Sequence, residues 1–237
     1  MKLYDEAGNE IGIIYDAPKK LNIEIYTTKE KLQIIFNQAS PQAINDFYEI
    51  FSENARYFSI MNRQHEDFFL TQIVAETGYD LVSKRENLNY TPSALRSTFS
   101  RYKRNPQWSE RDGRTKEHSA NQVNIANIAY ANRIGNGDIA SGDGYKFRGG
   151  GFFQLTGRAN YERISTVIQQ TLGDAIDADI LSEKIETVRI GCLSAMAFWL
   201  DKKCYLCSSI DCVTRKINRY TDTYDKRREI YDWISKL

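Results

Sequence analysis

The 237-residue sequence has no run of about 18 apolar residues, so it predicts no membrane-spanning segment. Its 32 basic and 31 acidic residues nearly cancel, and this balance gives no electrostatic argument for binding nucleic acid. Only two histidines are present, and we find no internal repeat or low-complexity tract. A chain of this length can bury a sizeable core, so we expect one domain with a small appendage.

Cysteine is scarce, and all four cysteines lie in the last quarter of the chain: Cys192, Cys204, Cys207 and Cys212. The Cys204-x2-Cys207 spacing invites a zinc interpretation, but a structural zinc ion requires four ligands at matched spacings. The two histidines, His65 and His118, are distant in sequence. The interpretation favoured here is a small core residue at Cys192 and free thiols at the other three positions. A disulfide becomes available after export to an oxidising compartment, and the sequence does not choose between these alternatives.

The first 38 residues differ in pattern from the rest of the chain. Residues 3–5 and 10–15 flank a turn sequence and predict a β-hairpin. Residues 21–26 alternate between apolar and polar side chains, and residues 32–36 could pair with them as another strand. We therefore predict a small β-rich appendage over residues 1–38, which could serve as an adaptor, a contact element or a cap.

From residue 39 onward the pattern becomes helical. Ser40 is the expected N-cap of a helix that has Pro41 at its first position. Ile44, Phe47 and Phe51 mark the apolar face of that helix. Further helices are predicted over the following segments: 65–77, from 91, 121–133, beyond 161, 186–200 and 225–236. The sequence thus predicts a mainly α domain over residues 39–237.

The most informative segment runs from residue 142 to residue 161. The three glycines at 149–151 permit positive φ, or a close approach of the backbone to a large group. Gln154, Thr156 and Asn160 add short hydrogen-bonding groups beside aromatic rings. This mixture suits a sugar, which has hydroxyls at its edges and C–H groups on its faces. A glycine-rich turn before a helix is the alternative interpretation.

Two glutamates accompany this segment. Glu76 lies in the last turn of the helix predicted over 65–77, with Gly78 as its C-terminal stop. Because the negative end of the helix dipole disfavours a carboxylate, this position indicates either a solvated helix end or a functional acid. Glu86 begins a polar loop without periodicity. A single glutamate usually lies on a solvated surface, whereas two beside a glycine- and aromatic-rich segment indicate a groove.

Four motifs occur in order along the chain, at residues 75–78, 86–90, 131–138 and 148–161. Their order and approximate spacing resemble those of glycoside hydrolase family 19. The resemblance is to the bacteriophage endolysin and bacterial cell-wall lysozyme branch rather than to the plant chitinases. It covers about residues 40–235 and implies a lysozyme-like, two-lobed helical fold.

The resemblance also implies a set of site residues. Glu76 matches the family's general acid and Glu86 its general base, which activates a water molecule in an inverting reaction. That chemistry requires carboxyl groups roughly 6.5–9.5 Å apart. Thr156 matches a Ser or Thr that helps to hold the water. The residues implied to bind substrate are Gln154, Asn160, Asn218, Tyr90 and Arg148. Neither a metal nor an organic cofactor is implied.

Three positions depart from the family pattern. Ala75 stands where the family often has a histidine, and Gly150 stands where an arginine is common. Arg219 and Tyr220 replace glycines that often follow the C-terminal Ile-Asn pair. None of these changes removes a proton-transfer group, so we expect activity with an altered groove floor.

The implied function is hydrolysis of the β-1,4 glycosidic bonds of bacterial peptidoglycan, by an endolysin or an antibacterial effector. A chitinase is the alternative within the same chemistry. A non-catalytic glycan-binding protein on the same scaffold is the alternative from another class, and the presence of both Glu76 and Glu86 argues against it. The expected partners are peptidoglycan glycan strands, together with a secretion apparatus or an immunity protein. We expect a monomer.

Two expectations concern where the protein acts and what it touches. The first eight residues carry charges where a secretory signal has its apolar segment. We therefore expect synthesis in the cytoplasm without a Sec signal, and action at the cell wall or periplasm after holin-dependent or dedicated secretion. The charge-dense residues 101–121 predict a solvated loop or helix face, or alternatively a mobile groove rim that touches an anionic wall polymer.

Overall fold

A computed structural model of the chain describes residues 24–237 in full and, for residues 2–4 and 10–13, the backbone only. The two N-terminal segments form strands β1 (Lys2–Tyr4) and β2 (Glu10–Ile13). They pair antiparallel, with an irregularity in register between Leu3 and Tyr4. The predicted hairpin is confirmed in these strands, and its turn lies outside the described residues.

The remainder of the described chain is helical, apart from loops and two short 3₁₀ turns. The helices, in chain order, are α1 (Lys29–Ile35), α2 (Pro41–Asn54), α3 (Arg63–Thr77), α4 (Pro92–Thr98), α5 (Ser100–Arg104), α6 (Pro106–Asp112), α7 (Gln122–Tyr130), α8 (Asp143–Lys146), α9 (Arg158–Leu172), α10 (Ala178–Lys184), α11 (Val188–Asp201), α12 (Ile210–Ile217) and α13 (Tyr224–Ile234). No described helix is both long and apolar enough to cross a membrane.

The strand predicted over residues 32–36 is wrong, because most of this segment belongs to α1. Thr28 caps the helix by accepting a hydrogen bond from the Lys31 amide at 3.1 Å. Leu32, Ile35 and Phe36 are buried in the main core, and their spacing suits one helical face better than a strand. Residues 24–26 form no strand either, and residues 21–23 lie outside the described chain. The division of the chain at residue 38 stays a prediction.

The predicted helix starts are confirmed. The Ser40 hydroxyl accepts from the Ala43 amide at 3.1 Å, and α2 begins at Pro41. Thr91 caps α4 in the same way, accepting from the Ala94 amide at 3.3 Å. A side-chain oxygen at such a position satisfies an amide that has no partner within the helix. The local sequence therefore sets where these helices begin.

Helix α3 is central to the fold. Its buried positions run without a break from Glu66 to Val74, whereas the sequence predicted one apolar face. A helix buried on all sides belongs to the interior, and α3 packs against α13 and α12. In α7, Ile125, Ala126, Ile128 and Ala129 are buried, whereas Val123 is 46% exposed.

The buried apolar side chains form two clusters, which define two lobes. The large lobe contains buried side chains from α1, α2, α3, α9, α11, α12 and α13. The core of the small lobe comprises Leu88, Leu95, Tyr102, Ile125, Ala126 and Ile128. The expected fold class, a mainly α, lysozyme-like, two-lobed domain with a small N-terminal β element, is therefore confirmed.

Candidate active site

Glu76 lies in the last turn of α3, in the large lobe, with 17% of its side chain exposed. Gly78 ends the helix with a φ of +86°, a conformation that side-chain-bearing residues rarely adopt. Arg227 of α13 donates a hydrogen bond to Glu76 Oε1 at 2.7 Å. Because the Arg227 side chain is only 2% exposed, this charged pair is shielded from solvent and well oriented.

Arg227 is held by a buried polar network. Its guanidinium also donates to Gln72 Oε1, and its Nε donates to Thr223 Oγ1 at 3.1 Å. Gln72 in turn donates to Thr214 Oγ1 at 2.9 Å. A fully connected buried network restricts the conformation of its members. The Glu76 carboxylate is therefore fixed by side chains from three helices: α3, α12 and α13.

Asn218 caps the C-terminus of α12, close to this network. Its amide donates to the Thr214 carbonyl at 2.7 Å, and its side chain is exposed. Asn218 is thus connected to Glu76 through Thr214, Gln72 and Arg227. Its predicted role in binding substrate stays a prediction.

Glu86 lies at the junction of the two lobes. Arg85 forms an antiparallel bridge with Gly150, and the Glu86 amide donates to the Gly149 carbonyl at 2.8 Å. Two donors bind the carboxylate: the Tyr130 hydroxyl at 2.7 Å on Oε1 and the Gly149 amide at 3.4 Å on Oε2. Burial and the bond to Glu86 raise the pKa of Tyr130, so its hydroxyl stays protonated and remains a donor.

The glycines explain how this loop approaches Glu86. A Cβ on Gly149 would lie 2.9 Å from Gln154 Oε1, 3.3 Å from Glu86 Cβ and 3.3 Å from Thr156 Oγ1. A Cβ on Gly150 would lie 2.8 Å from the Tyr161 hydroxyl. The glycines therefore permit close contact with protein side chains, and they bring Gln154 and Thr156 beside Glu86.

Hydrogen bonds order the residues around this contact. The Thr156 hydroxyl donates to the Gln154 carbonyl at 2.9 Å, and the Asn160 amide group donates to the Thr156 carbonyl at 2.7 Å. Gln154 is exposed and has a φ of +48°, an uncommon value for a residue other than glycine. The structure thus brings together Glu86, Gln154, Thr156 and Asn160.

Arg85 holds the same loop in place through hydrogen bonds. Its guanidinium donates to the Lys146 carbonyl at 3.2 Å, the Tyr161 hydroxyl at 3.3 Å and Ser182 Oγ at 3.0 Å. Burial lowers the pKa of Arg85, and the side chain is only 10% exposed. These bonds connect the loop before Glu86 to α9 and α10, so the position of Glu86 depends on the large lobe.

Tyr90 and Arg148, the two remaining predicted binding residues, make no hydrogen bond or ion pair with either glutamate among the described residues. The Tyr90 ring packs on Phe99 in the small lobe, with centroids 5.4 Å apart. The Arg148 guanidinium lies 3.9 Å over the Tyr145 ring and donates to the Tyr145 carbonyl at 2.8 Å. Their roles in binding substrate stay predictions.

Three residues that hold the two glutamates were not predicted from the sequence: Tyr130, Gln72 and Arg227. Tyr130 directly precedes the motif at 131–138. Arg227 shares the buried face of α13 with Ile230 and Ile234. A charged residue at a core position of a helical pattern is a recognisable signal, because arginine is almost never fully buried unless it is paired.

The cysteines require a correction. Cys207 and Cys212, expected as free thiols, form a disulfide with a Cα–Cα distance of 5.5 Å. Cys192 and Cys204 are free and buried, and burial raises the pKa of the Cys204 thiol to about 12. Among residues 24–237 no cluster of three or more His, Cys, Asp or Glu side chains has the arrangement of a metal site.

A cavity of about 360 Å³ lies beside α3, and neither glutamate is among its lining residues. Gln64 and Phe68 line it, at the end of α3 opposite Glu76, and Asp211, Arg228 and Tyr231 complete much of its wall. Its lining includes no residue of the motifs that contain Glu76 and Glu86. We therefore do not include it in the candidate site.

Comparison with known proteins identifies the family of this chain. No family model matches the chain. A protein of Haemophilus influenzae, named as a glycosyl hydrolase family 19 domain-containing protein, is 32% identical over 202 residues. The alignment covers 84% of this chain and 92% of the relative. The chain therefore belongs to glycosyl hydrolase family 19.

Proposed function

We propose that this protein hydrolyses the β-1,4 glycosidic bonds of bacterial peptidoglycan with inversion, using Glu76 as general acid and Glu86 as general base. One observation carries the proposal. A side-chain donor binds Oε1 of each glutamate: Arg227 of the large lobe binds Glu76, and Tyr130 of the small lobe binds Glu86. No hydrogen bond joins the two carboxyl groups among the described residues. The proposed inverting reaction places a water molecule between them, which requires a separation of roughly 6.5–9.5 Å.

The partners of Glu76 orient its carboxyl group. Arg227 and the network behind it fix Oε1, while Oε2 has no hydrogen-bond partner among the described residues. In the proposed reaction Oε2 carries the proton and delivers it to the leaving glycosidic oxygen. A donor that is already oriented avoids the entropic cost of ordering it in the transition state.

The surroundings of Glu86 suit a base that activates water. The Tyr130 hydroxyl and the Gly149 amide orient the carboxylate, and the Thr156 hydroxyl lies beside the same glycine. The Thr156 hydroxyl donates a hydrogen bond to the Gln154 carbonyl, so its oxygen can accept a hydrogen bond from the attacking water. Glu86 would then remove the second proton of this water as it attacks the anomeric carbon.

Peptidoglycan is proposed over chitin because the four motifs resemble the endolysin and cell-wall lysozyme branch. Both polymers contain N-acetylglucosamine, and they differ in the lactyl-peptide branch that a groove must admit or exclude.

The Cys207–Cys212 disulfide supports action outside the reducing cytoplasm. Thiol labelling of the protein recovered from cytoplasm and periplasm would test this location, and a reduced pair in both fractions would contradict it.

The deciding experiment is a product analysis. Purified protein is incubated with peptidoglycan and, separately, with N-acetylglucosamine oligomers, and the new reducing ends are identified by mass spectrometry. Proton NMR of the first products reports the anomeric configuration. We expect new reducing ends in peptidoglycan and an inverted first product. Cleavage of the oligomers alone would identify a chitinase, and binding without cleavage of either would identify a glycan-binding protein.

Three glutamine variants assign the chemistry. Glu76→Gln and Glu86→Gln should each abolish most turnover while they preserve folding and glycan binding, because an amide neither delivers nor accepts the proton. Glu53→Gln is the matched control, since Glu53 is exposed on α2 and has no ion pair among the described residues. Wild-type turnover by Glu76→Gln or Glu86→Gln would refute the assignment of that residue.

A further inference from the structure

The small lobe contains a cavity of about 160 Å³, where α4 meets α5 beside the end of α7. Its lining residues are Thr98, Phe99, Ser100, Arg101, Ala129 and Arg133. The lining therefore combines two guanidinium groups, two hydroxyl groups and one aromatic ring. None of these side chains takes part in the proposed proton transfers.

Both arginines lack a carboxylate partner among the described residues. Arg101 donates only to the Ala131 carbonyl, at 2.8 Å, and the Arg133 guanidinium makes no hydrogen bond in this part of the chain. Elsewhere in the same lobe Arg96 pairs with Glu110, and Arg111 pairs with Asp112. Two arginines that share one cavity repel each other, and an anionic group would relieve that repulsion.

The Phe99 ring connects the cavity to the side chain that binds the proposed base. Phe99 forms part of its wall and packs on Tyr130, with ring centroids 6.4 Å apart. Tyr130 is the residue that donates to Glu86. Arg133 follows in the next turn, and its amide donates to the Tyr130 carbonyl at 3.3 Å. A substrate strand bound at Glu86 could therefore extend a side branch into the cavity.

We infer that this cavity binds a carboxylate on the branch of the substrate strand, an inference that rests on the proposed function. A guanidinium presents paired N–H donors that match both oxygens of a carboxylate. The Thr98 and Ser100 hydroxyls can bond amide groups of a peptide branch, and the Phe99 ring can contact its aliphatic part. Chitin has no carboxylate, so the cavity would favour peptidoglycan over chitin.

The test combines a variant with a chemically matched substrate. Arg133→Gln removes one guanidinium, and Lys103→Gln on the exposed side of α5 is the control with the same loss of charge. Each protein is assayed on native peptidoglycan and on peptidoglycan whose carboxyl groups have been converted to amides with carbodiimide and ammonia. We expect Arg133→Gln to lower kcat/KM on native peptidoglycan roughly tenfold, the effect of losing one charge-assisted hydrogen bond. Lys103→Gln should stay within about twofold of wild type, as for a screened surface charge.

The amidated substrate isolates the carboxylate. On amidated peptidoglycan, kcat/KM of the wild-type enzyme should fall by about the factor that Arg133→Gln causes on native peptidoglycan. Amidation should lower kcat/KM of Arg133→Gln little further. If Arg133→Gln cleaves native peptidoglycan as fast as wild type, the inference is refuted and the proposed function is not. The same holds if Arg133→Gln lowers kcat/KM relative to wild type by the same factor on native and on amidated peptidoglycan. If the wild-type protein cleaves no peptidoglycan, the proposed function and the inference both fall.

Discussion

Tyr130→Phe tests the site most sharply, because it removes one oxygen atom and keeps the ring. The lost hydroxyl donates to Glu86 Oε1 at 2.7 Å, while the packing of the ring against Phe99 remains. A hydrogen bond to a charged group contributes about 1.5–3 kcal/mol, and about 1.4 kcal/mol changes a rate tenfold. If the bond orients Glu86 in the transition state, kcat/KM should fall about 10- to 100-fold.

Tyr102→Phe provides a matched control in the same lobe. The Tyr102 hydroxyl donates to Asp112 Oδ2 at 2.9 Å, and both residues are fully buried. This bond lies in the core of the small lobe and contacts no proposed catalytic group. Its loss should lower the free energy of unfolding by about 1–3 kcal/mol without changing the activity of the folded protein.

The assay measures kcat and KM for both variants at a temperature where circular dichroism shows each to be folded. We expect Tyr130→Phe to lose mainly kcat, because the hydroxyl orients the base and need not touch the substrate. The reasoning is refuted if Tyr130→Phe turns over at the wild-type rate. It is also refuted if Tyr102→Phe loses the same factor, since the effect would then be a general loosening of the lobe.

Three further predictions concern the large lobe and the fold. Arg227→Lys keeps the charge but loses the planar set of donors that bonds Thr223, Gln72 and Glu76, so kcat/KM should fall at least about tenfold while the protein stays folded; unchanged kinetics would contradict the network. The Arg158 hydrogen bond holds the pKa of Asp143 below its ordinary value of about 3.9, so its stabilisation is present above about pH 4 and is lost as the pH falls through the lower, folded-state pKa. Asp143→Asn should therefore lower stability at pH 7 and flatten acid unfolding, which urea titrations from pH 7 to pH 2 would measure; parallel curves would contradict it. Cys212→Ser should lower the free energy of unfolding by about 2 kcal/mol, as for a short disulfide loop, and a reductant should destabilise wild type equally and leave the variant unchanged.

The sequence was a reliable guide wherever a local interaction decides the structure. Ser40 and Thr91 cap the helices that follow them, and Gly78 ends α3 in a left-handed conformation. These features depend on atoms only a few residues apart, so the pattern predicts them. The motif around residues 148–161 likewise brought Gln154 and Thr156 to Glu86 through tight turns of the backbone.

Residues 32–36 show where the local pattern fails. The segment is short and apolar, and such a run fits a buried strand or a buried helix equally well. Contact with α2 and the main core makes it part of a helix. The pairing of Cys207 with Cys212 was open for a related reason, since disulfide connectivity depends on where the chain folds back.

What the sequence by itself determined is the position of several helices, the order of the motifs and the two candidate carboxylates. What only the tertiary structure decided is which group holds each carboxylate. Arg227 reaches Glu76 from 151 residues away, and Tyr130 reaches Glu86 from 44 residues away. Such pairs form because helices distant in sequence pack side by side, and burial then requires each polar group to find a partner. The chemistry of the site depends on these partners, and no periodicity in the sequence specifies them.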